Sequence, residues 1–343
     1  MTSSSSPVPA PRGAVPRLSR ALRRLAGIVA IGAGALAATP AHAAAYPDKP
    51  IHLILSFPPA GATDILARAI GQRMAEGLGQ SVIVENRPGA GGNIGLIAAA
   101  RAPADGYTIY LAAVTNAAIA AAAYAPQAAH LIKDFSPVAG VATVPHILVV
   151  PNSTPAQNVR ELVSFLKAAP GKYNFASQGA GTLSHLESEL FKMRTGVDIV
   201  HVPYKGSSQA LPELMSGSSA MMFDSIPGSM PHVKSGRLKV LAVASGKRVS
   251  SLPNVPTVQE AGVPGFEANN LFGFVVPKGT PPAAVAALSR AIENALNAPS
   301  LHQTMEAQGV ELKYTPADEF GKMMDQEFKT WGQVVETAKV KLE

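Results

Sequence analysis

Ile51-His52-Leu53-Ile54-Leu55 is a nearly continuous apolar run closed off by Pro50 and Pro58. A run of this length bounded by prolines reads as a parallel strand buried on both faces. Behind it, Leu66, Ile70, Met74 and Leu78 recur at spacing four while Arg68, Arg73 and Glu76 fall elsewhere, which predicts an amphipathic helix from about Thr63 to Leu78. A strand buried on both faces needs helices above and below it, so this pair alone directs the chain to an α/β architecture. The alternation continues. Ser81 to Val84 reads as a strand, Ile94 to Arg101 as a short helix, and Thr108 to Leu111 as a strand after the Asp105-Gly106 turn.

After a Pro-containing stretch the pattern resumes, with a strand at His146 to Val150 and a helix at Val159 to Ala168 closed by Pro170-Gly171. Strand and helix pairs follow at Tyr173 to Ala176 with Thr182 to Arg194, and at Ile199 to Val202 with about Ser208 to Met215. Ala220 to Phe223 and Leu238 to Val243 read as further strands, with a short helical segment near Pro231 to Lys234. The Pro-, Ser- and Gly-rich stretch from Ser245 to Pro264 reads as a crossing segment. Phe272 to Val276 is then strand-like, and Val285, Leu288, Ile292 and Leu296 mark one helix face. Phe320, Met324, Phe328, Trp331, Val335 and Ala338 mark the face of a long terminal helix, with Trp331 expected in the core. Two α/β lobes are implied.

The formal charge of +6 comes from 29 Lys and Arg against 23 Asp and Glu, but five of those Arg lie within residues 1–43, where there is no acid. The remaining 24 bases against 23 acids give no basic surface for nucleic acid. The basic start, the apolar run from Leu25 to Ala38 and the small-x-small sequence Ala41-His42-Ala43 predict a signal peptide over residues 1–43, cleaved after Ala43. The run is too short for a permanent membrane span. Arg23-Arg24 is compatible with twin-arginine export but lacks the rest of that motif, and ordinary secretion is the expectation. With no cysteine anywhere, disulfides, thiolate metal sites and a cysteine nucleophile are excluded, and an unstapled exported chain of this size fits a bacterial periplasm.

The turn Phe57-Pro58-Pro59-Ala60-Gly61-Ala62-Thr63-Asp64 joins a buried strand to a helix N-terminus, the edge of an open α/β sheet where free N–H groups and the helix dipole favour an anion. Thr63 or Asp64 can equally serve only as the helix cap. The stretch Glu85 to Gly95 carries Gly89, Gly91, Gly92 and Gly95, but has neither the Lys and Ser/Thr of a P-loop nor the G-x-G-x-x-G spacing. Three further strand ends, Ala176-Ser177-Gln178-Gly179-Ala180-Gly181-Thr182, Pro203-Tyr204-Lys205-Gly206 and Phe223-Asp224-Ser225, repeat the polar, glycine-rich theme and suggest a cleft between the lobes.

Together with Tyr46-Pro47-Asp48-Lys49-Pro50, Asp105-Gly106-Tyr107-Thr108, Val202-Pro-Tyr-Lys-Gly206 and the segment from Pro256 to Phe266, these motifs resemble, across essentially the whole mature chain, the Bug family of periplasmic solute-binding proteins, the receptors of tripartite tricarboxylate transporters. Ala60 departs from the pattern, since the family usually has glycine there. The resemblance implies a two-lobed, type II-like periplasmic-binding-protein fold, with residues 46–145 and 268–343 in lobe 1, 146–267 in lobe 2 and the ligand cleft between them. By carry-over, Phe57, Pro59, Ala60, Gly61, Thr63 and Asp64 with Gly89, Ala90, Gly91 and Gly92 would hold a carboxylate, largely through backbone groups. Ser177, Gly179, Thr182, His185, Tyr204 and Asp224 would face them from the other lobe. His185 can instead be a core or surface histidine, and Asp224 can merely end its strand. The implied partners are a small carboxylate solute and inner-membrane permease subunits, with the receptor a monomer and no cofactor or metal required.

An enzyme is the competing class. G-x-S-x-G and H-E-x-x-H are absent, and His52, His130, His146, His185, His201, His232 and His302 show no paired metal-ligand spacing. Ser177 and His185 as nucleophile and base would need an orienting acid that the sequence does not offer. A periplasmic sensor subunit for the same acids remains a third class.

Overall fold

The computed structural model describes residues 46–124 and 129–338, besides Met1 and Pro9. The export signal expected over residues 1–43 and the side chain of Ala338 lie outside the described residues. The expected alternation is present. In chain order come β1 (Ile51–Leu55), α1 (Ala62–Leu78), β2 (Val82–Asn86), α2 (Asn93–Ala100), β3 (Thr108–Ala113), α3 (Val114–Ala123), α4 (Leu131–Asp134), β4 (Phe135–Pro151), α5 (Val159–Lys167), β5 (Asn174–Ser177) and α6 (Leu183–Thr195). They are followed by β6 (Val200–Pro203), α7 (Ser207–Met215), β7 (Met221–Ser225), α8 (Ile226–Lys234), β8 (Leu238–Val243), β9 (Asn269–Pro277), α9 (Pro282–Leu296), α10 (Pro299–Glu306), β10 (Glu311–Pro316) and α11 (Ala317–Ala338).

The strand expected at His146 to Val150 is only the end of β4, which runs unbroken for 17 residues. Pro137 and Gly140 disguise its first half in the sequence, and the register against β9 shifts between Pro137 and Ala139 and again between Gly140 and Ala142, the irregularities that accommodate them. α3 also went unread, because its alanine-rich sequence VTNAAIAAAA has no polar face to set a period. The segment near Pro231 begins earlier than expected, at Ile226, with Pro227 in the first turn where a missing N–H costs nothing.

β4 carries both halves of the molecule. Up to Pro145 it pairs antiparallel with β9 and β10, beside the parallel strands β1, β2 and β3. From His146 it pairs with β7 and β8, beside the parallel strands β5 and β6. Side chains alternate across each sheet. Leu53 and Leu55 of β1 pack with Ile70, Met74 and Ile292 on one face, while Ile54 packs with Leu96, Tyr110 and Phe320 on the other. Leu148 and Val150 of β4 join Phe175, Phe191 and Phe223, while Ile147 and Val149 join Leu211, Met222 and Ile226. α11 spans the two. Phe320 and Met324 near its start are in the first sheet's core and Val335 near its end is in the second's. Trp331 is half-buried rather than core, its Nε1–H donating to Glu327 Oε2 at 3.0 Å.

Phe320 is the tightest of these contacts. Gly140 of β4 and Gly273 of β9 face each other across the ladder. A Cβ at Gly273 would lie 2.1 Å from Phe320 Cζ, so the ring sits where a side chain on either strand would otherwise be. Replacing a fully buried Phe by Ala costs roughly 3–5 kcal/mol through lost burial and the cavity left. Phe320→Ala should therefore lower the unfolding free energy in urea by about that much, and a loss below about 1 kcal/mol would show that the ring does not lock these strands.

Candidate functional site: an interlobe cleft at the strand ends

Six parallel strands deliver their C-terminal ends to one crevice, and each is followed by a turn that starts a helix there. Among the described residues none of these helices, α1, α2, α3, α6, α7 and α8, is capped by the side chain of its own N-cap residue, although Asn116 reaches the first N–H of α6 from α3. Away from the cleft the chain does use such caps, as at α5, where Asn158 Oδ1 accepts from Glu161 N–H at 2.9 Å. The expectation that Thr63 or Asp64 caps α1 is not met, because Gly61 holds the cap position. Uncapped first turns turn their N–H groups and the positive ends of their dipoles toward whatever fills the crevice.

The lobes meet across this crevice. Asn116 Oδ1 on α3 accepts from Leu183 N–H at 2.7 Å, and Tyr124 Oη donates to Ala180 O at 2.9 Å. At two glycines with positive φ there is no room for a side chain between the facing loops. A Cβ on Gly91 (φ +62) would lie 2.8 Å from Ala180 O, and one on Gly206 (φ +120) would lie 2.6 Å from Pro58 Cδ. Among the described residues, two of the cavities here share Phe57 and Gln178 in their walls. The inner one, about 20 Å³, is lined by Pro58, Gly61, Ala62, Thr63, Asn116, Val144, His146, Gly206, Ser207, Ser225, Asn270 and Phe272. The outer one, about 200 Å³, is lined by Ser56, Gly89, Ala90, Gly91, Gly92, Tyr124, Gly179, Ala180, Pro203, Tyr204 and Lys205.

Of the residues singled out in the sequence, Phe57, Gly61, Thr63, Gly89, Ala90, Gly91, Gly92, Gly179 and Tyr204 line these cavities. Pro59, Ala60, Asp64, Ser177, Thr182, His185 and Asp224 line neither, and most of them hold the lining residues in place. Asp64 Oδ2 accepts from Ala60 N–H at 3.1 Å, and its carboxylate also accepts from Arg68 and Asn86, while Asn86 donates in turn to Phe57 O. Burial works to raise the Asp64 pKa, but these hydrogen bonds outweigh it and keep the carboxyl below its ordinary range. Ala60 sits at φ +67, the left-handed region that disfavours a Cβ. Asp224 is fully buried and saturated. Gln178 and Ser207 donate to its Oδ1 and Ser229 to its Oδ2, each at 2.6 Å. Thr182 donates to Gly179 O at 2.7 Å, closing its own turn.

His185 is a core histidine. Its ring stacks on His201 at 3.9 Å, its Nδ1 accepts from Gly181 N–H at 3.2 Å, and burial followed by the charge of Lys192 pushes its pKa down to about 4. Burial, His185 and Lys192 together push His201 down to about 3. Ser177 bonds not to His185 but to His201 Nε2 at 2.6 Å and is itself completely buried. The sequence singled out neither Asn116, His146 nor Asn270 as site residues. Asn116 and Asn270 lie on elements that were unread or read too short, and His146 was counted only among scattered histidines. Burial opposes the His146 imidazolium, yet the Glu187 carboxylate 2.6 Å from Nδ1 outweighs it and raises the His146 pKa above the ordinary value.

The two depressed histidines carry a stability signature. Unfolded, each takes up a proton near pH 6.5; folded, His185 does so only near pH 4 and His201 near pH 3. Between those limits the unfolded chain binds more protons, so stability falls as pH is lowered from above 6.5. His201→Gln should make the fall in urea midpoint between pH 7.5 and pH 4.5 shallower than in the wild type. An unchanged slope would rule the stacked pair out as its source.

Residues 66–340 match the family described as "Tripartite tricarboxylate transporter family receptor". Protein BugT of Bordetella pertussis (strain Tohama I) is 36% identical over 306 residues, covering 89% of this chain and 94% of that one. The solved periplasmic binding protein BugD superposes with a TM-score of 0.82 at 32% identity, covering 86% of this chain and 99% of that one. R. palustris Rpa4515 with adipate does so at 0.83 and 35%, with the same coverage. These likenesses cover most of the chain, which belongs to the tripartite tricarboxylate transporter family of receptors.

Proposed function

We propose that the chain is a periplasmic receptor that closes on a small carboxylate and hands it to the permease subunits of a tripartite tricarboxylate-type transporter. The observation that supports this reading is the set of six helix N-termini gathered at one cleft, none capped by the side chain of its own N-cap residue. Their backbone donors suit an anion and need no cofactor or metal. Rpa4515, whose solved structure holds adipate, shows that a relative with this fold takes a dicarboxylate. Among the described residues no helix is long and apolar enough to cross a membrane, as fits a receptor exported to the periplasm by the signal read in residues 1–43.

The reading makes residues 46–145 with 268–343, and 146–267, the bodies that close, with β4 bending where it changes sheets at His146. It also makes the protein a binder without turnover, acting as a monomer. Ser177 and His201 form a serine–histidine pair, but Ser177 is completely buried and lines neither cavity. Among the described residues no carboxylate bonds to the His201 ring to orient it for base work, and its faces stack on His185 and Phe175.

A thermal-shift panel of small carboxylates tests the function. At one hundred times Kd, a ligand that binds only the native state adds about 2.7 kcal/mol, a rise of roughly 4 °C for a chain of about 300 folded residues. No shift with any acid, or chemical turnover of the acid that binds, would overturn the reading. Gly91→Val tests the closure. Its side chain would meet Ala180 O across the cleft, so affinity for the acid found in the panel should fall at least tenfold, while the strain of a β-branched residue at φ +62 lowers the unfolding midpoint without abolishing the fold. Wild-type affinity in that variant would place the closing contact elsewhere.

A further inference from the structure

Where β4 passes from one sheet to the other, His146 lines the inner cavity with only 1% of its side chain exposed. Its Nδ1 lies 2.6 Å from Glu187 Oε2 on α6, an equally buried carboxyl. A pair of zero net charge holds one proton in that contact, whether drawn as imidazolium and carboxylate or as imidazole and carboxylic acid. In both arrangements the second ring nitrogen, Nε2, carries a hydrogen and is a donor. Nδ1 being taken, Nε2 is the atom of His146 left to meet a ligand.

Two more polar groups on this cavity lack partners. Ser225 Oγ, at the end of β7, and Asn270 Oδ1, on β9, are buried with no hydrogen bond inside the protein. Orphaned buried polar atoms are costly, and two of them beside the free ring nitrogen of His146 around one small space point to a polar group that completes them. Charge narrows its chemistry. No Asp or Glu lines either cavity, and both oxygens of Asp224, the nearby buried acid, are already used by Gln178, Ser207 and Ser229. An ammonium group would find no counter-charge here. An oxygen-rich acceptor would find donors from Nε2 of His146, the Ser225 hydroxyl and, with its amide turned, Asn270.

We propose that His146, held by Glu187, and Ser225 form a subsite for the second carboxylate of the ligand, so that this chain selects dicarboxylates over monocarboxylates and ω-amino acids of the same length. The inference rests on the receptor reading above, which supplies the first carboxylate at the helix N-termini. At about 20 Å³ the cavity in this shut arrangement has room for about one water, and because both lobes wall it, a carboxylate fits when they close less far. His146 is the specificity-determining residue. Glu187 is a positioning residue that fixes the ring and its proton.

The test is calorimetric titration of the purified chain with adipate, hexanoate and 6-aminohexanoate, and with succinate, butyrate and 4-aminobutyrate. In at least one series the diacid should bind ten times or more tighter than both of its counterparts. His146→Gln should weaken diacid binding on the order of 10- to 100-fold, the span of a hydrogen bond to a charged group, and leave the monoacid unchanged. Ser225→Ala removes an unpartnered hydroxyl, so its unfolding midpoint should stay the same or rise while diacid affinity drops severalfold. It decides the matter together with the wild-type series if His146→Gln does not fold. Equal affinities within both series, or variants that weaken mono- and diacids alike, would overturn the subsite and leave the receptor reading standing. If no acid of either series binds, both readings fall.

Discussion

The rest of the structure depends on β4 being one continuous strand shared by two sheets. Its first half pairs with β9 and β10, its second with β7 and β8, and the exchange occurs between Pro145 and His146. Because one strand belongs to both ladders, the two sets of parallel strands are held with their C-terminal ends toward the same crevice. The helices that must follow those strands then bring their N-terminal N–H groups there as a consequence of connectivity. The electrostatics of the cleft are thus a property of the topology, and side chains refine it.

That division of labour explains why many of the acidic and hydroxyl side chains near the cleft are spent on the protein itself. Asp64 ties the first loop to Arg68 and Asn86, and Asp224 ties Gln178 to Ser207. Buried carboxylates with full sets of donors stay in place at little cost, whereas one left open would repel an anionic ligand. Glu187 differs: one of its oxygens is unpartnered, and the other holds His146 at the inner cavity. The cleft is therefore lined by backbone, amides, hydroxyls, one imidazole and the Lys205 side chain, beside apolar groups such as Phe57 and Phe272, a surface suited to carboxylate oxygens.

Much of the fold was legible in the sequence because its signals are local. β1 and α1 announce themselves through a short apolar run and a four-residue spacing, and the glycine-rich strand ends mark the cleft. β4 was legible only in part. Pro137 and Gly140 break the strand pattern, and only pairing with a strand more than a hundred residues away makes Phe135 to Pro145 extended. At the site, the cavity-lining glycines were found because turns reveal them. Ser177, His185 and Asp224 are chemically suggestive in sequence, yet they point into the lobe, a distinction set by packing alone. Asn116 and Asn270 were missed with their elements. His146 has no local motif, since its partner Glu187 is 41 residues on and meets it only across the second sheet.

The central claim is that backbone donors at converging helix N-termini hold the ligand's carboxylate. A crystal structure of the chain with the best-bound acid measures this directly. The account predicts carboxylate oxygens within hydrogen-bonding distance, about 2.7 to 3.2 Å, of main-chain nitrogens in the Gly61–Thr63 turn or the Gly89–Gly92 turn. A carboxylate bound chiefly by a lysine or arginine side chain, or lying outside the cleft, would contradict it.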